Sequence, residues 1–274
     1  MPETTGSLIR RAAIAACLTL LCATHAFAQQ PDQFVATPVP DHPDFLSRAD
    51  FQLSASRIAG IDDQRFSWDT HWGGSLDVVD YVHGRTGIYV DYEAMLGSEF
   101  RPFDPYQGNY TLEAFGSGRV NDSTELMGIF HHVSRHISDR PKRFAIAWNV
   151  LGGRVLHKFS LGSATLDVDL EGGKVVQHSY VDYSWIGELH ILAKRPVNDR
   201  VAVYGRAAGQ LYKVNGERPE RSTQRGGFVE AGVRLKGGAG VMELFVAGER
   251  RVDADQLDFQ PKQWALAGFR LLSR

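Results

Sequence analysis

The sequence predicts an all-β chain that closes into a single antiparallel transmembrane β-barrel of about 12 strands. Two observations support this prediction. Apolar and polar residues alternate with a period of two along most of the chain after residue 50, which is typical of strands with one apolar and one polar face. The predicted strands are also long, and short connections alternate with longer ones, as in bacterial outer-membrane barrels.

Residues 1–28 are predicted to be a signal peptide. Arg10 and Arg11 precede an apolar stretch over 12–23, and Ala26-Phe27-Ala28 is a small-x-small cleavage site. The apolar stretch is too short to span a membrane as a helix. The alternative, a lipoprotein signal cleaved before Cys17, would leave a very short apolar region. We therefore expect a chain that is exported by a cleaved signal peptide and inserted in the outer membrane of a Gram-negative cell.

Composition excludes several classes of site. The only two cysteines, Cys17 and Cys22, lie in the predicted signal peptide, so the mature chain is expected to lack disulfides, thiolate metal sites and a cysteine nucleophile. A formal net charge of −2 gives no reason to expect nucleic acid as a partner. The expected partner is outer-membrane lipid, and the sequence does not indicate an oligomeric state.

Residues 29–50 are rich in proline and lack a period, which predicts an irregular periplasmic lead-in before a barrel over 51–274. The strands are predicted, in chain order, at 51–58, 66–81, 87–97, 109–119, 123–139, 143–158, 164–170, 175–193, 200–213, 226–236, 240–251 and 263–272. Residues 171–174, Glu-Gly-Gly-Lys, are predicted to turn between the seventh and eighth strands. With both termini periplasmic, the long connections 98–108, 214–225 and 252–262 are expected outside the cell.

In each strand the apolar face is predicted to meet lipid, and the charged face to line the lumen. The predicted inward charges are Asp91, Glu93, Glu113, Asp167, Asp169, Asp182, Glu188, Arg206, Glu230, Arg234, Glu243, Glu249 and Arg251. Oppositely charged side chains that meet across a narrow barrel would fill it. We therefore expect a charged, mostly filled lumen and a structural or small-solute role.

The fifth strand carries the sharpest motif. The alternation is taken to put Met127, Ile129 and Val133 toward lipid, and His132, Ser134 and His136 toward the lumen. On that assignment the polar side chains form a luminal cluster with Asp139 and Arg143. A metal site is not predicted, because His132 and His136 lie ~13 Å apart along one strand.

The stretch from His132 to Asp139 resembles a His-x-Ser-Ser-His-x-Gly-Asp strand found in a family of bacterial outer-membrane barrels with no established reaction, although Arg135 and Ser138 depart from it. His132-Val133-Ser134 also resembles, more weakly, the His-x-Ser of outer-membrane phospholipase A and lipid A deacylase. The later Trp148-Asn149 is similar to the phospholipase's Trp-Asn. That resemblance implies Ser134 as nucleophile, His132 as general base and Asn149 as its orienting group, and it allows calcium as a cofactor if the chain is an enzyme.

Three functions therefore stay open. The preferred one is a non-enzymatic outer-membrane barrel without a cofactor. The second is a lipid hydrolase that uses His132 and Ser134, which would have to face lipid rather than the lumen. The third is a soluble periplasmic β-barrel that binds a ligand, with the same alternation turned inside out. The direction in which His132 and Ser134 point separates the first two.

Overall fold

The computed structural model describes residues 39–137 and 144–273. They form a closed antiparallel barrel of 12 strands, as the alternation predicted. The strands are β1 (Asp44–Ala59), β2 (Trp68–Asp80), β3 (Arg85–Gly97), β4 (Asp104–Asn121), β5 (Thr124–Ile137), β6 (Ile146–Leu161), β7 (Ala164–Ser179), β8 (Tyr183–Pro196), β9 (Val201–Val214), β10 (Gln224–Lys236), β11 (Val241–Arg251) and β12 (Lys262–Leu272). Among the described residues, no helix is long and apolar enough to cross a membrane.

The first and last strands close the barrel. β1 pairs with β12 from Gln52 opposite Leu272 to Ala59 opposite Ala265. The pairing extends past β12, because the amide of Phe51 donates to the Ser273 hydroxyl at 2.9 Å. Closure leaves no strand edge unpaired, which lipid requires because it offers backbone groups no hydrogen bonds.

The two ends of the barrel differ in their connections. Of the described connections, one end carries 60–67, 98–103, 180–182, 215–223 and 252–261, and the other carries 81–84, 122–123, 162–163, 197–200 and 237–240. Apart from 180–182, the connections of the first end are the longer ones. β1 begins and β12 ends at the tight-turn end. The predicted asymmetry is present, and in a bacterial barrel the long-connection end faces outward from the cell.

Several predicted strand boundaries are wrong, and β4, for example, begins at Asp104 rather than at residue 109. β1 begins at Asp44, so the last part of the expected lead-in is strand. The predicted turn at 171–174 lies inside β7, and β8 begins only at Tyr183. Gly172 and Gly173 serve sheet packing instead of a turn, because a Cβ on the facing Gly152 would lie 2.5 Å from the Gly172 carbonyl oxygen.

The outer surface is a band of large apolar side chains. These include Trp72, Leu112, Leu151, Leu170, Val203, Val246 and Phe269, all exposed and drawn from strands around the whole barrel. The inner face carries the charges. A soluble barrel has the opposite arrangement, so the soluble alternative does not fit this fold.

Buried ion pairs fill much of the lumen. Arg154 contacts Glu113 at 2.9 Å and Asp169 at 3.4 Å, and it also pairs with Glu171. On the other side of the lumen, Arg251 forms ion pairs with Asp69, Glu93 and Glu249.

A third network lies toward the tight-turn end. Arg270 pairs with Glu230 and Glu243, which also meet Arg206 and Arg234. The charges predicted to point inward do so, and they pair across the barrel as expected. The cavity left between His71, Tyr89 and Glu188 measures about 60 Å³, enough for a few water molecules.

The connection 252–261 folds back into the barrel mouth. Asp253 and Asp255 are buried there. Arg221, from the connection 215–223, holds Asp253 at 2.8 Å, and Arg65, from the connection 60–67, pairs with Asp255. Charged loops therefore plug the long-connection end.

Asp63 is a third carboxylate at this mouth. The Arg65 guanidinium holds it at 2.8 Å, with Lys262 at 3.0 Å. The hydrogen bonds from Arg65 hold the pKa of Asp63 well below its usual range. A depressed carboxyl pKa stabilises the fold above the unfolded-state value, and this contribution is lost as the pH falls through the folded-state value.

Arg154→Met tests the luminal network. The substitution leaves three buried carboxylates without their shared cation, so we expect the free energy of unfolding to fall by about 3 kcal/mol. Urea unfolding in detergent micelles, followed by tryptophan fluorescence, measures this change. Arg195→Met, at an exposed position, is the matched control, and equal stability of the two variants would contradict a stabilising role for the network.

Candidate functional site on the outer face

The structure corrects the direction of the fifth strand. His132, Ser134 and His136 lie on the outer face of β5, not in the lumen. Their alternate neighbours on the same face, Leu126 and Phe130, are 48% and 44% exposed. The predicted luminal cluster of these side chains is therefore wrong, and its other two members, Asp139 and Arg143, lie outside the described residues.

The opposite face of β5 points inward. Glu125 pairs with Arg85 at 2.9 Å, and His131 contacts Glu113 at 3.1 Å, both within the lumen. Met127, Ile129 and Val133 share these positions by alternation and are buried with them. The three apolar residues expected to meet lipid therefore face the lumen.

A hydrophobic cluster explains this orientation. Val133 packs inside the barrel with Ile146, Trp148 and Val150 of β6. The cluster closes the lumen beneath the mouth, so apolar residues are favourable on the inner face here. Asn149 alternates with this set and therefore points outward, next to Leu151, which is 60% exposed.

His132 and Asn149 are directly opposite each other on β5 and β6. The His132 Nδ1 lies 2.6 Å from the Asn149 Oδ1. The Asn149 Nδ2 in turn donates to the Gln177 Oε1 at 2.9 Å. Because an amide oxygen only accepts, His132 carries its proton on Nδ1 when neutral, and its Nε2 keeps a free lone pair.

A β-bulge places Gln177 in this chain of contacts. Asn149 pairs with Gln177, whereas the next residue, Val150, pairs with Val175, so Val176 is an extra residue in β7. The bulge turns Gln177 to the same side as Asn149. Sequence reasoning missed this residue, because alternation alone cannot locate an inserted residue.

Ser134 lies on the same outer row, between two histidines. Its hydroxyl hydrogen-bonds the Nε2 of His136 at 3.0 Å. His132 lies on its other side, ~6.6 Å away along the strand between Cα atoms. The motif therefore places one hydroxyl beside two imidazoles on the surface that faces lipid.

Aromatic rings flank this row on the side of β4. Tyr110, opposite Ser134, packs edge-on against His136 with ring centres 5.2 Å apart. Tyr92 and Trp72 continue the series onto β3 and β2. Such rings prefer the boundary between lipid tails and headgroups, so Ser134 lies at that depth near the long-connection end.

The strand that carries the site, β5, is held by hydrogen bonds from inside the barrel. Arg135 points inward, and its Nη1 donates to the Asp253 carbonyl at 2.8 Å. The Gln256 amide donates to the backbone carbonyl of His136 at 3.0 Å. The plug in the mouth is therefore bonded to the strand that carries His132 and Ser134.

The described residues do not form a calcium site around Ser134. They offer imidazole, amide and hydroxyl groups, whereas calcium prefers several carboxylate and carbonyl oxygens. Two buried luminal groups, Asp69 with His71 and Glu93, and Glu113 with His131 and Glu171, have the geometry for a metal ion. Each already holds an arginine, Arg251 or Arg154, whose charge opposes a bound cation.

No family model and no curated relative matches the chain. Solved structures match its fold, and they define the class as the outer-membrane β-barrel. The dimeric outer-membrane phospholipase of Salmonella typhi with bound calcium is 10% identical, with a TM-score of 0.50, over 87% of this chain and 94% of that chain. Outer-membrane phospholipase A from Escherichia coli is 10% identical, with a TM-score of 0.50, over 82% and 92%. The translocator domain of the autotransporter NalP from Neisseria meningitidis is 13% identical, with a TM-score of 0.39, over 82% and 88%. At such identities the likeness concerns the fold alone.

Asn149→Leu tests the hydrogen-bonded pair without relying on activity. In the wild type we expect the neutral His132 ring to hold its proton on Nδ1, and in the variant to shift toward the Nε2–H form. Nitrogen-15 chemical shifts of labelled histidine in micelles report the tautomer. His157, whose Nδ1 lies 2.8 Å from the Thr124 hydroxyl, is the internal control. An unchanged His132 tautomer in the variant would contradict the assigned contact.

Proposed function

We propose that the chain is an outer-membrane acyl hydrolase that cleaves ester bonds of membrane lipid. Ser134 is the nucleophile, His132 the general base and Asn149 its orienting group. The observation that supports this function best is the position of the hydrogen-bonded His132–Asn149 pair beside Ser134 on the lipid-facing surface. This is where the hydrolase alternative required these side chains to be.

The chemistry follows from the protonation of His132. The Asn149 oxygen holds the Nδ1–H, so the Nε2 lone pair can accept the proton of Ser134 as its oxygen attacks the ester carbonyl. The same proton then passes to the leaving alkoxide, and the acyl group stays on Ser134. A water molecule, deprotonated by the same nitrogen, releases the fatty acid and restores the hydroxyl.

Ser134 must turn toward His132 for this step, because its hydroxyl now bonds to His136. One rotation about χ1 of the serine changes the partner, and catalytic contacts often form only with substrate bound. His136 holds the hydroxyl until substrate binds. His132 hydrogen-bonds Asn149, which in turn hydrogen-bonds Gln177. These bonds orient the His132 ring and make it the preferred base.

The surroundings fit an ester at the edge of the lipid. Phe130 and Leu151, on the tail side of His132, are exposed and lie opposite each other, so they can contact acyl chains. The aromatic rings of Tyr110 and Tyr92 lie at headgroup depth. A phospholipid and an acylated glycolipid both carry an ester at this level.

A structural barrel without catalysis is the second candidate. The filled lumen supports it, since buried ion pairs occupy the lumen and the plug around Asp253 occupies its mouth. The same observation speaks against a small-solute channel. A role in which the barrel only occupies the membrane makes no use of the outward His132–Asn149 pair.

Acyl hydrolysis by the refolded mature chain tests the proposal. We expect release of fatty acid from phospholipid or lipid A micelles, with and without calcium. Ser134→Ala and His132→Ala should each reduce kcat by at least about 100-fold, as loss of a nucleophile or a general base does. His136→Ala should retain more activity than His132→Ala.

A second hydroxyl–imidazole pair on the outer face serves as the control. Thr124 and His157 form an outward hydroxyl–imidazole contact across the same two strands, at the tight-turn end. Thr124→Ala and His157→Ala should leave kcat unchanged. A folded, heat-modifiable barrel that releases no fatty acid, or one whose activity survives Ser134→Ala, would overturn the proposal and favour the structural candidate.

A further inference from the structure

Four basic side chains project from the outer face of the barrel beyond the candidate site. They are Lys174 on β7, Lys213 on β9, Arg225 on β10 and Arg250 on β11, here called the basic belt. All four lie toward the long-connection ends of their strands. Their positions alternate with buried luminal residues, which sets them on the surface that faces lipid.

Register brings the belt residues together. Trp185 on β8 is 52% exposed and lies directly opposite both Lys174 and Lys213. The Arg250 Nε donates to the backbone carbonyl of Arg225 at 3.3 Å, which brings the Arg250 side chain next to Arg225. The belt therefore consists of two lysines around an indole and, further round the barrel, two adjacent arginines.

Within residues 39–137 and 144–273, the belt lacks counter-charges. No outward position of β7 to β11 carries Asp or Glu. Among the described residues, no carboxylate lies within ion-pair distance of the four belt side chains. The luminal arginines are the opposite case, since Arg154, Arg251 and Arg270 each meet two or more carboxylates. Neighbouring cations without a partner repel one another, so an external anion stabilises them.

We infer that the basic belt binds the phosphate groups of lipid A in the outer leaflet. The belt lies toward the end that faces outward from the cell, where the anionic lipid is a phosphorylated glycolipid. Guanidinium groups bind phosphate through two parallel hydrogen bonds, and lysines bind it as point charges on flexible stems. The exposed Trp185 offers an apolar face and an N–H at the same boundary.

Four cations spread over the neighbouring strands β7 to β11 match a bisphosphorylated disaccharide better than a single phosphate. The lysine pair around Trp185 contacts one phosphate, and the Arg225–Arg250 pair contacts the other. The inference is independent of the proposed hydrolysis, because the belt lies on strands other than those of His132, Ser134 and Asn149. The belt would bind lipid A in a chain that catalyses nothing.

Binding of lipid A to the refolded mature chain in zwitterionic detergent tests the inference, measured by native mass spectrometry. The belt variant combines Lys213→Gln with Arg225→Gln. The control combines Arg195→Gln with Arg200→Gln, two exposed arginines at the tight-turn end. We expect the belt variant to bind roughly 25-fold more weakly, about five-fold for each cation removed. The control should stay within two-fold of the wild type.

Three further binding measurements complete the test. Lipid A stripped of its phosphates should bind as weakly to the wild type as intact lipid A does to the belt variant. Phosphatidylglycerol should bind more weakly than lipid A to the wild type. Ser134→Ala should leave lipid A binding unchanged, which separates this test from that of the hydrolase. Equal losses in belt and control variants, equal binding of the two lipids, or no effect of removing the phosphates would each overturn the inference.

Discussion

Closure of the sheet between β1 and β12 is the constraint on which the rest of the structure depends. Once the barrel is closed, each strand has one face toward lipid and one toward a narrow interior. Charges that cannot face lipid must then meet one another inside, which is why Arg154, Arg251 and Arg270 each contact several carboxylates. The filled lumen and the mostly apolar outer surface have the same cause. Only where polar groups project outward does the surface acquire chemistry.

The alternation in the sequence predicted most of the fold because charges and apolar residues usually keep to separate faces. In β3, Asp91 and Glu93 point inward while Ile88 and Val90 meet lipid, as predicted. In β5 the inference failed, because the aliphatic residues were taken to mark the lipid face. Glu125 and Arg135 fall on the same alternate positions as Met127 and Val133, and a charge on the lipid-facing side costs more than an aliphatic side chain in the lumen. The charged residues, rather than the aliphatic ones, therefore determine which face of β5 points into the lumen.

The candidate site was predictable in its residues but not in its geometry. The resemblance of the motif pointed to His132, Ser134 and Asn149, whereas their contact depends on a register that sequence does not encode locally. Gln177 could not be predicted from the sequence, because the extra residue at Val176 reverses the alternation of β7 without a sequence signal. The pair Gly172-Gly173, a usual turn signature, instead lets β6 and β7 approach closely.

The plug in the mouth has a consequence for the lipid-facing side. From inside the barrel, Asp253 accepts a hydrogen bond from Arg135 of β5, and Gln256 donates one to the backbone of the same strand. Both contacts lie behind His132 and Ser134. The connection to which they belong, 252–261, also reaches the end that opens outward from the cell. A large molecule that draws this connection out of the mouth removes the inner support of the strand. The position of this connection therefore bears directly on the strand that presents His132 and Ser134 to lipid.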